Sequence, residues 1–177
     1  MNPAKRMIAV FGTSRVQPGD EVFCLAEEVG RAIAQAGFDL VNGGYGGVML
    51  ASACGAAQAG GRIVGVSCKA FKRSRVNEHI TDEVPTEDLQ QRLATLVDMG
   101  QAYVILPGGT GTLLELADVW EHKNKGFDGY DKPIILVGDF WKPLIAMIRQ
   151  ADPRAPQAVI TANTVEEVIR HLKETLR

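Results

Sequence analysis

Cysteine is scarce in this chain: Cys24, Cys54 and Cys68 are the only three in 177 residues, and no two stand in a Cys-x-x-Cys pair. A disulfide framework and a zinc or redox centre of that type therefore have no signature. Basic charge is not in excess either, with 19 Lys and Arg against 21 Asp and Glu and a formal net charge of −2. General nucleic-acid binding, which needs a basic surface to neutralise phosphates, is not expected. No run approaches the roughly 20 apolar residues of a membrane span. The apolar run 7–11 that follows Lys5 and Arg6 is too short for the core of a signal peptide. His79, His122 and His171 share no ligand spacing, so no metal site is expected. Free thiols and the missing span together point to the cytoplasm.

What is present is the profile of a globular protein, 46% hydrophobic and 23% charged. The length suits one domain spanning 1–177. Short apolar runs alternate with helical periods. Strands are expected over 7–11, 38–41, 62–67, 101–106, 133–137 and 158–160. Helices are expected over 20–36, 48–59 and 86–99, from the end of 107–112 to about 125, and over 140–150. A last helix opens at Asn163 or Thr164, with Glu167 spaced for a capping box with Thr164. Segment 69–83 is polar and aperiodic and reads as a loop. Strands apolar on both faces, each followed by a helix, imply an α/β fold: a Rossmann-like, doubly wound, mostly parallel sheet with helices on both faces, in a single domain.

Ligands of such sheets bind beyond the carboxyl ends of the strands. Three loops lie at that edge: Gly12-Thr13-Ser14-Arg15, the glycine-rich 42–47, and Pro107-Gly108-Gly109-Thr110-Gly111-Thr112. The two glycine-rich loops lead directly into helices, whose N-termini offer free N–H groups and a positive dipole end. A phosphate is the economical guest, although tight turns and close helix packing would ask for the same glycines. No Gly-x-x-x-x-Gly-Lys-Ser/Thr segment exists, which excludes a P-loop NTPase. Gly109-Thr110-Gly111-Thr112-Leu113-Leu114 lacks the third glycine of a dinucleotide fingerprint. Glu115 stands three residues after Thr112, a capping-box spacing that competes with a role at a sugar hydroxyl or a water. Arg92 sits at the edge of an apolar stripe of Leu89, Leu93, Leu96 and Val97, where a snorkelling side chain is the default. Trp120 falls on an apolar stripe with Leu116 and Val119. His122, seven residues after Glu115, shares its helix face, and Tyr45 could stack on a base or serve the loop structurally.

The segment Pro107 to Glu115 matches PGGxGTxxE and resembles the signature of the LOG ("Lonely guy") family, often mislabelled lysine decarboxylase. The family's GGGxxGLM element corresponds to Asn42-Gly43-Gly44-Tyr45-Gly46-Gly47-Val48-Met49, with Asn42 in place of the first glycine and Val48 in place of leucine. Its Gly-Ser/Thr-Ser turn corresponds to Gly12-Thr13-Ser14. A Met-His-x-Arg-Lys segment corresponds to Leu89-Gln90-Gln91-Arg92-Leu93, which keeps the arginine and loses the histidine and lysine.

The resemblance implies a Rossmann-like homodimer or larger homo-oligomer that needs neither metal nor pyridoxal phosphate, with no other cofactor. It implies a phosphoribohydrolase that cleaves nucleoside 5′-monophosphates, AMP or cytokinin ribotides, to free base and ribose 5-phosphate. Arg92 and Glu115 would be its catalytic residues. Gly108, Gly109, Thr110, Gly111 and Thr112 would hold the phosphate, and Gly12, Thr13, Ser14, Gly43, Gly44, Gly47 and Met49 would line the pocket. Arg15, Lys72, Arg73 and Arg75 either attract the anion or form a solvated charged face. The competing readings are a non-catalytic carrier of a nucleotide or of molybdenum cofactor, which is a phosphorylated pterin, and a site for an NAD- or ADP-ribose-type ligand.

Overall fold

The computed structural model describes residues 5–71, 75–127, 129 and 131–176. The chain runs β1 (Met7–Phe11), α1 (Glu21–Gln35), β2 (Asp39–Asn42), α2 (Val48–Gln58), β3 (Ile63–Cys68), β4 (Asp82–Thr86), α3 (Leu89–Met99), β5 (Ala102–Ile105), α4 (Thr110–Lys125), β6 (Ile134–Val137), α5 (Lys142–Ala151), β7 (Ile160–Ala162) and α6 (Val165–Thr175). A single 3-10 turn, Ala155–Ala158, precedes β7. All neighbouring strands pair in parallel, in the order β4-β3-β2-β1-β5-β6-β7. The chain winds outward from β1 in one direction and from β5 in the other. Winding therefore reverses between β1 and β5, and the loops that leave these strands diverge to opposite faces of the sheet.

Strand side chains divide into two cores. Ile8 and Val10 of β1, with Leu40, Ile63, Val104 and Ile135, pack under α1, α2 and α6. Ala9 and Phe11, with Val41, Val64, Tyr103 and Ile105, pack under α3, α4 and α5. The alternation explains why the central strands carry no polar face: both sides of each are covered.

Six strands are expected from the pattern and a seventh is found. Strand β4 occupies what reads as the end of a loop because Asp-Glu-Val-Pro-Thr shows neither an apolar run nor alternation. It sits at the sheet edge, largely exposed, where Pro85 needs no ladder partner for its missing N–H. The following helix accordingly starts at Leu89, three residues later than its periodicity suggests. Asp88 caps it by accepting from the Gln91 amide at 2.8 Å, and Gln91 Oε1 in turn accepts from the Glu87 amide at 2.7 Å. At α6 the expected cap forms: Thr164 Oγ1 accepts from the Glu167 amide at 3.2 Å, while Glu167 Oε2 accepts from the Asn163 amide at 2.7 Å.

Helices α1 and α2 touch backbone to backbone. A Cβ placed on Gly30 would overlap the Ser52 carbonyl oxygen, and one on Gly55 would overlap that of Glu27. These two helices carry the loops that leave β1 and β2, so their spacing sets how those loops meet. On propensity alone, Gly30→Ala and Gly55→Ala would each help a helix by about 0.5–1 kcal/mol. Packing is expected to reverse the sign, with a net loss of about 1–3 kcal/mol for each in urea unfolding. A midpoint that rises would show that the helices can part freely.

Candidate active site

Backbone bonds knit the three loops at the switch point. The Leu106 amide donates to the Phe11 carbonyl at 2.9 Å, the Thr13 amide to the Pro107 carbonyl at 3.0 Å, and the Val48 amide to the Thr13 carbonyl at 2.8 Å. Gly47 makes this closure sterically feasible. Its φ is +63°, and a Cβ there would overlap the Thr13 carbonyl oxygen. Asn42, in the place of the family's first glycine, is fully buried. Its Nδ2 donates to the Met49 carbonyl at 2.9 Å and to Ser52 Oγ at 3.1 Å, and its Oδ1 accepts from the Gly44 amide at 2.8 Å. A side chain thus fastens the loop to α2.

Between the loops lies a cleft of about 630 Å3. One wall is the start of α4. Gly109 is its N-cap and supplies no side-chain cap, so the amides of the first turn keep no partner within the helix. Open space surrounds Gly109 and Gly111 where a Cβ would stand. An anion can therefore approach these amides closely, with the helix dipole in its favour. Thr110 is exposed on the rim, whereas Thr112 is only 3% exposed and tucked beneath Gly108.

The capping-box reading of Glu115 fails for a geometric reason. Helix α4 begins at Thr110, so Thr112 is its third residue and cannot cap it. Glu115 instead lies further along the helix and lines the cleft, half-buried. Burial pushes its carboxyl up to about 7, against the opposing pull of the Arg92 charge.

Arg92 is 7% exposed and does not snorkel outward. Its Nε donates to the Val66 carbonyl at 2.8 Å, and its Nη2 lies 3.9 Å from Met49 Sδ. The guanidinium carbon stands 5.5 Å from the Tyr45 ring centre and 5.7 Å from that of Phe71. Gly43 makes room for it, because a Cβ there would overlap Nη2. Helix α3 thus projects its arginine inward over the end of β3 and into the cleft.

Of the residues singled out in the sequence, the fold brings Gly12, Thr13, Ser14, Arg15, Gly43, Tyr45, Met49, Arg92, Gly109, Thr110, Gly111, Thr112 and Glu115 to this one cleft. Gly44, Gly47 and Gly108 shape the loops from behind. Arg75 is exposed and outside the lining, and Lys72 and Arg73 lie outside the described residues. His122 turns away: its Nδ1 is 2.8 Å from the Asp118 carbonyl oxygen, and its ring meets Phe127 edge-on. Trp120 is core, donating from Nε1 to the Ala155 carbonyl at 2.8 Å. Sequence reasoning missed Val10, Phe11, Phe71 and Leu89 as lining residues. Leu89 precedes Arg92 by one turn and so shares its face, a signal that was available. Phe71 lies in an aperiodic segment that gives no such hint. No group of three metal-ligating side chains occurs among the described residues, and none of their helices is long and apolar enough to cross a membrane.

The family model for the SLOG cluster4 family matches residues 5–169. The chain is 33% identical over 172 residues to the cytokinin riboside 5′-monophosphate phosphoribohydrolase of Rhodococcoides fascians, covering 94% of this chain and 84% of the relative. To the enzyme of the same name from Mycobacterium tuberculosis it is 35% identical over 164 residues, covering 85% and 84%. Among solved structures, the molybdenum cofactor binding protein from Rippkaea orientalis superposes with a TM-score of 0.81 at 23% identity over 98% of both chains, a likeness of fold. A match that spans nearly every element, with the PGGxGTxxE segment seated at the cleft, means that the chain belongs to the SLOG cluster4 family of LOG-type proteins.

Proposed function

We propose that the protein is a nucleoside 5′-monophosphate phosphoribohydrolase, cleaving the N-glycosidic bond of AMP-like or cytokinin ribotides. One observation carries the reading: an uncapped helix N-terminus, a buried arginine and a carboxyl raised to about 7 open onto the same cleft. Curated relatives that bear this activity in their names support it.

The 5′-phosphate sits on the first-turn amides of α4 and Gly109, with the Thr110 hydroxyl and Arg15 at the rim. Gly12, Thr13 and Ser14 close the pocket floor. The base lies towards Gly43, Met49 and Leu89. Bond cleavage leaves positive charge on the sugar, and the Glu115 carboxylate stabilises it beside the ribose. Water adds to C1′ and gives its proton to Glu115. The C1′–N electron pair leaves with the base, which takes up a proton from solvent beside Arg92, and Glu115 then returns its own proton to solvent. The products are free base and ribose 5-phosphate. An ionised Glu115 has to be drawn from a buried carboxyl, which places its working range at neutral pH and above.

We also infer a homodimer, supported by the apolar groove between α4 and α5, where Leu113, Leu116, Trp120, Leu144 and Ile148 meet and the neighbouring Leu114 and Met147 stand exposed. The free cysteines fit work in the cytoplasm.

Incubation with AMP and other 5′-monophosphates is expected to release free base and ribose 5-phosphate, read by chromatography and a reducing-sugar assay. Glu115→Gln and Arg92→Ala should each lower kcat/KM by about 10²-fold or more. Tight binding of a phosphorylated pterin with no turnover of any monophosphate would replace the hydrolase by the carrier. The wild-type rate should rise with pH through an apparent pKa near 7, a limb absent from Glu115→Gln.

Stability offers a check independent of turnover. The folded carboxyl titrates higher than the unfolded one, so native stability is full below the unfolded value and declines as pH rises through about 7. Glu115→Gln escapes that decline. It should be more stable than wild type at pH 8, by up to about 3 kcal/mol, and the gap should close as pH falls towards 4.5. For the dimer, Met147→Glu should halve the mass found by sedimentation if α5 lies in the interface.

A further inference from the structure

Arg92 is held in an unusual way for a buried charge. A guanidinium taken out of water ordinarily faces a carboxylate. Among the described residues none lies within ion-pair distance of Arg92. Its support comes from one carbonyl, one thioether and two rings. The rings of Tyr45 and Phe71 are themselves in contact, 5.8 Å apart and tilted by 52°.

Both the loop and one ring are fastened from behind. Tyr45 Oη accepts from the Cys68 amide at 2.8 Å, tying the ring to the end of β3. The Asn77 side chain donates to the carbonyls of Gly44 and Tyr45 at 3.1 and 3.0 Å, and the Asn77 amide donates to Gly44 at 2.7 Å. Phe71 is 38% exposed, an apolar side chain kept at the cleft mouth where it meets the cation.

We propose that Tyr45 and Phe71 are positioning residues: an aromatic pair that holds the Arg92 guanidinium over the cleft with its charge uncancelled and keeps it from closing onto Glu115. This rests on the hydrolase reading for its kinetic consequence, though not for its structural one. The physical distinction is between two kinds of support. A carboxylate would satisfy the guanidinium fork and consume its N–H donors. A ring face attracts the cation through its quadrupole and leaves donors and charge available to substrate. Glu115 is the acid among the cleft-lining residues that could take the carboxylate's place, and it already feels the Arg92 charge.

The ionisable groups that line the cleft with Glu115 are Arg92 from α3, Arg15 from the loop after β1 and the Tyr45 phenol from the loop after β2. On α4 itself Asp118 follows one turn on, beside His122. Of these, Arg92 is the charge whose place the rings set. Freed from them, it settles against the carboxylate, which favours the ionised form and ties up both groups.

The test uses Tyr45→Leu and Phe71→Leu, with Tyr45→Phe as the conservative change. In steady-state assays on AMP, each leucine variant should lose about 10- to 100-fold in kcat with a much smaller change in KM. The acidic limb of its pH profile should move down by about one unit. A carbon-13 NMR titration of the Glu115 carboxyl, assigned with Glu115→Gln, should move down by the same amount. Tyr45→Phe should retain most of the rate and the wild-type titration. A loss confined to KM with the carboxyl titration unmoved would place the rings on the base and overturn the proposal. So would unchanged kcat and titration in both leucine variants. If the wild type hydrolyses no monophosphate, the hydrolase reading falls alone. The carboxyl titration then decides this proposal: a downward move upholds the aromatic hold on Arg92, and an unmoved one ends it.

Discussion

Thr13 is the residue on which the site's assembly turns. Its amide donates to Pro107 and its carbonyl accepts from Val48, so one residue bridges the loops leaving β1, β2 and β5. These loops would otherwise diverge, because the chain winds in opposite directions on either side of the β1–β5 boundary. Gly47, with its positive φ and no room for a Cβ, makes the second of these bonds possible. The carboxylate wall and the arginine wall of the cleft are brought opposite each other by this short run of backbone bonds.

Three polar features of the cleft are left short of protein partners, and for the Glu115 and Arg92 side chains, which are drawn out of water, that is expensive. Helix α4 starts without a side-chain cap. Glu115 is a carboxyl pushed up by burial. Arg92 is a cation with no acid within ion-pair distance among the described residues. A fold selected for stability alone would have used the Glu115 carboxylate to pair with Arg92 and placed a serine or aspartate at the helix cap. All three departures fall within one cleft, as expected where local consistency gives way to function.

The central sheet was legible because β1, β2, β3, β5 and β6 are buried on both faces and read as plain apolar runs. Strand β4 was not, since an edge strand of acids and a proline obeys solvent exposure and not burial. The snorkelling default for Arg92, though not the role the family resemblance implies, fails for a related reason. Its position at the border of an apolar stripe says that it leaves the helix sideways, and nothing on that helix says whether water or the hollow above Gly43 receives it. Glu115 depended on where α4 begins. Spacing permits a cap at Thr112, but the turn through Gly108 and Gly109 starts the helix three residues earlier and carries the carboxyl into the cleft. Phe71 acts only through contacts made across the fold, which no local pattern encodes.

The rims of the sheet limit how copies of this molecule can join. At one rim, β4 shows water two acidic side chains and a proline that interrupts its row of donors. At the other, β7 is three residues long. Neither offers a template on which a strand from a second molecule could continue the ladder. Assembly is thereby left to the helical flanks, and concentrated solutions of this protein are guarded against growth by sheet extension.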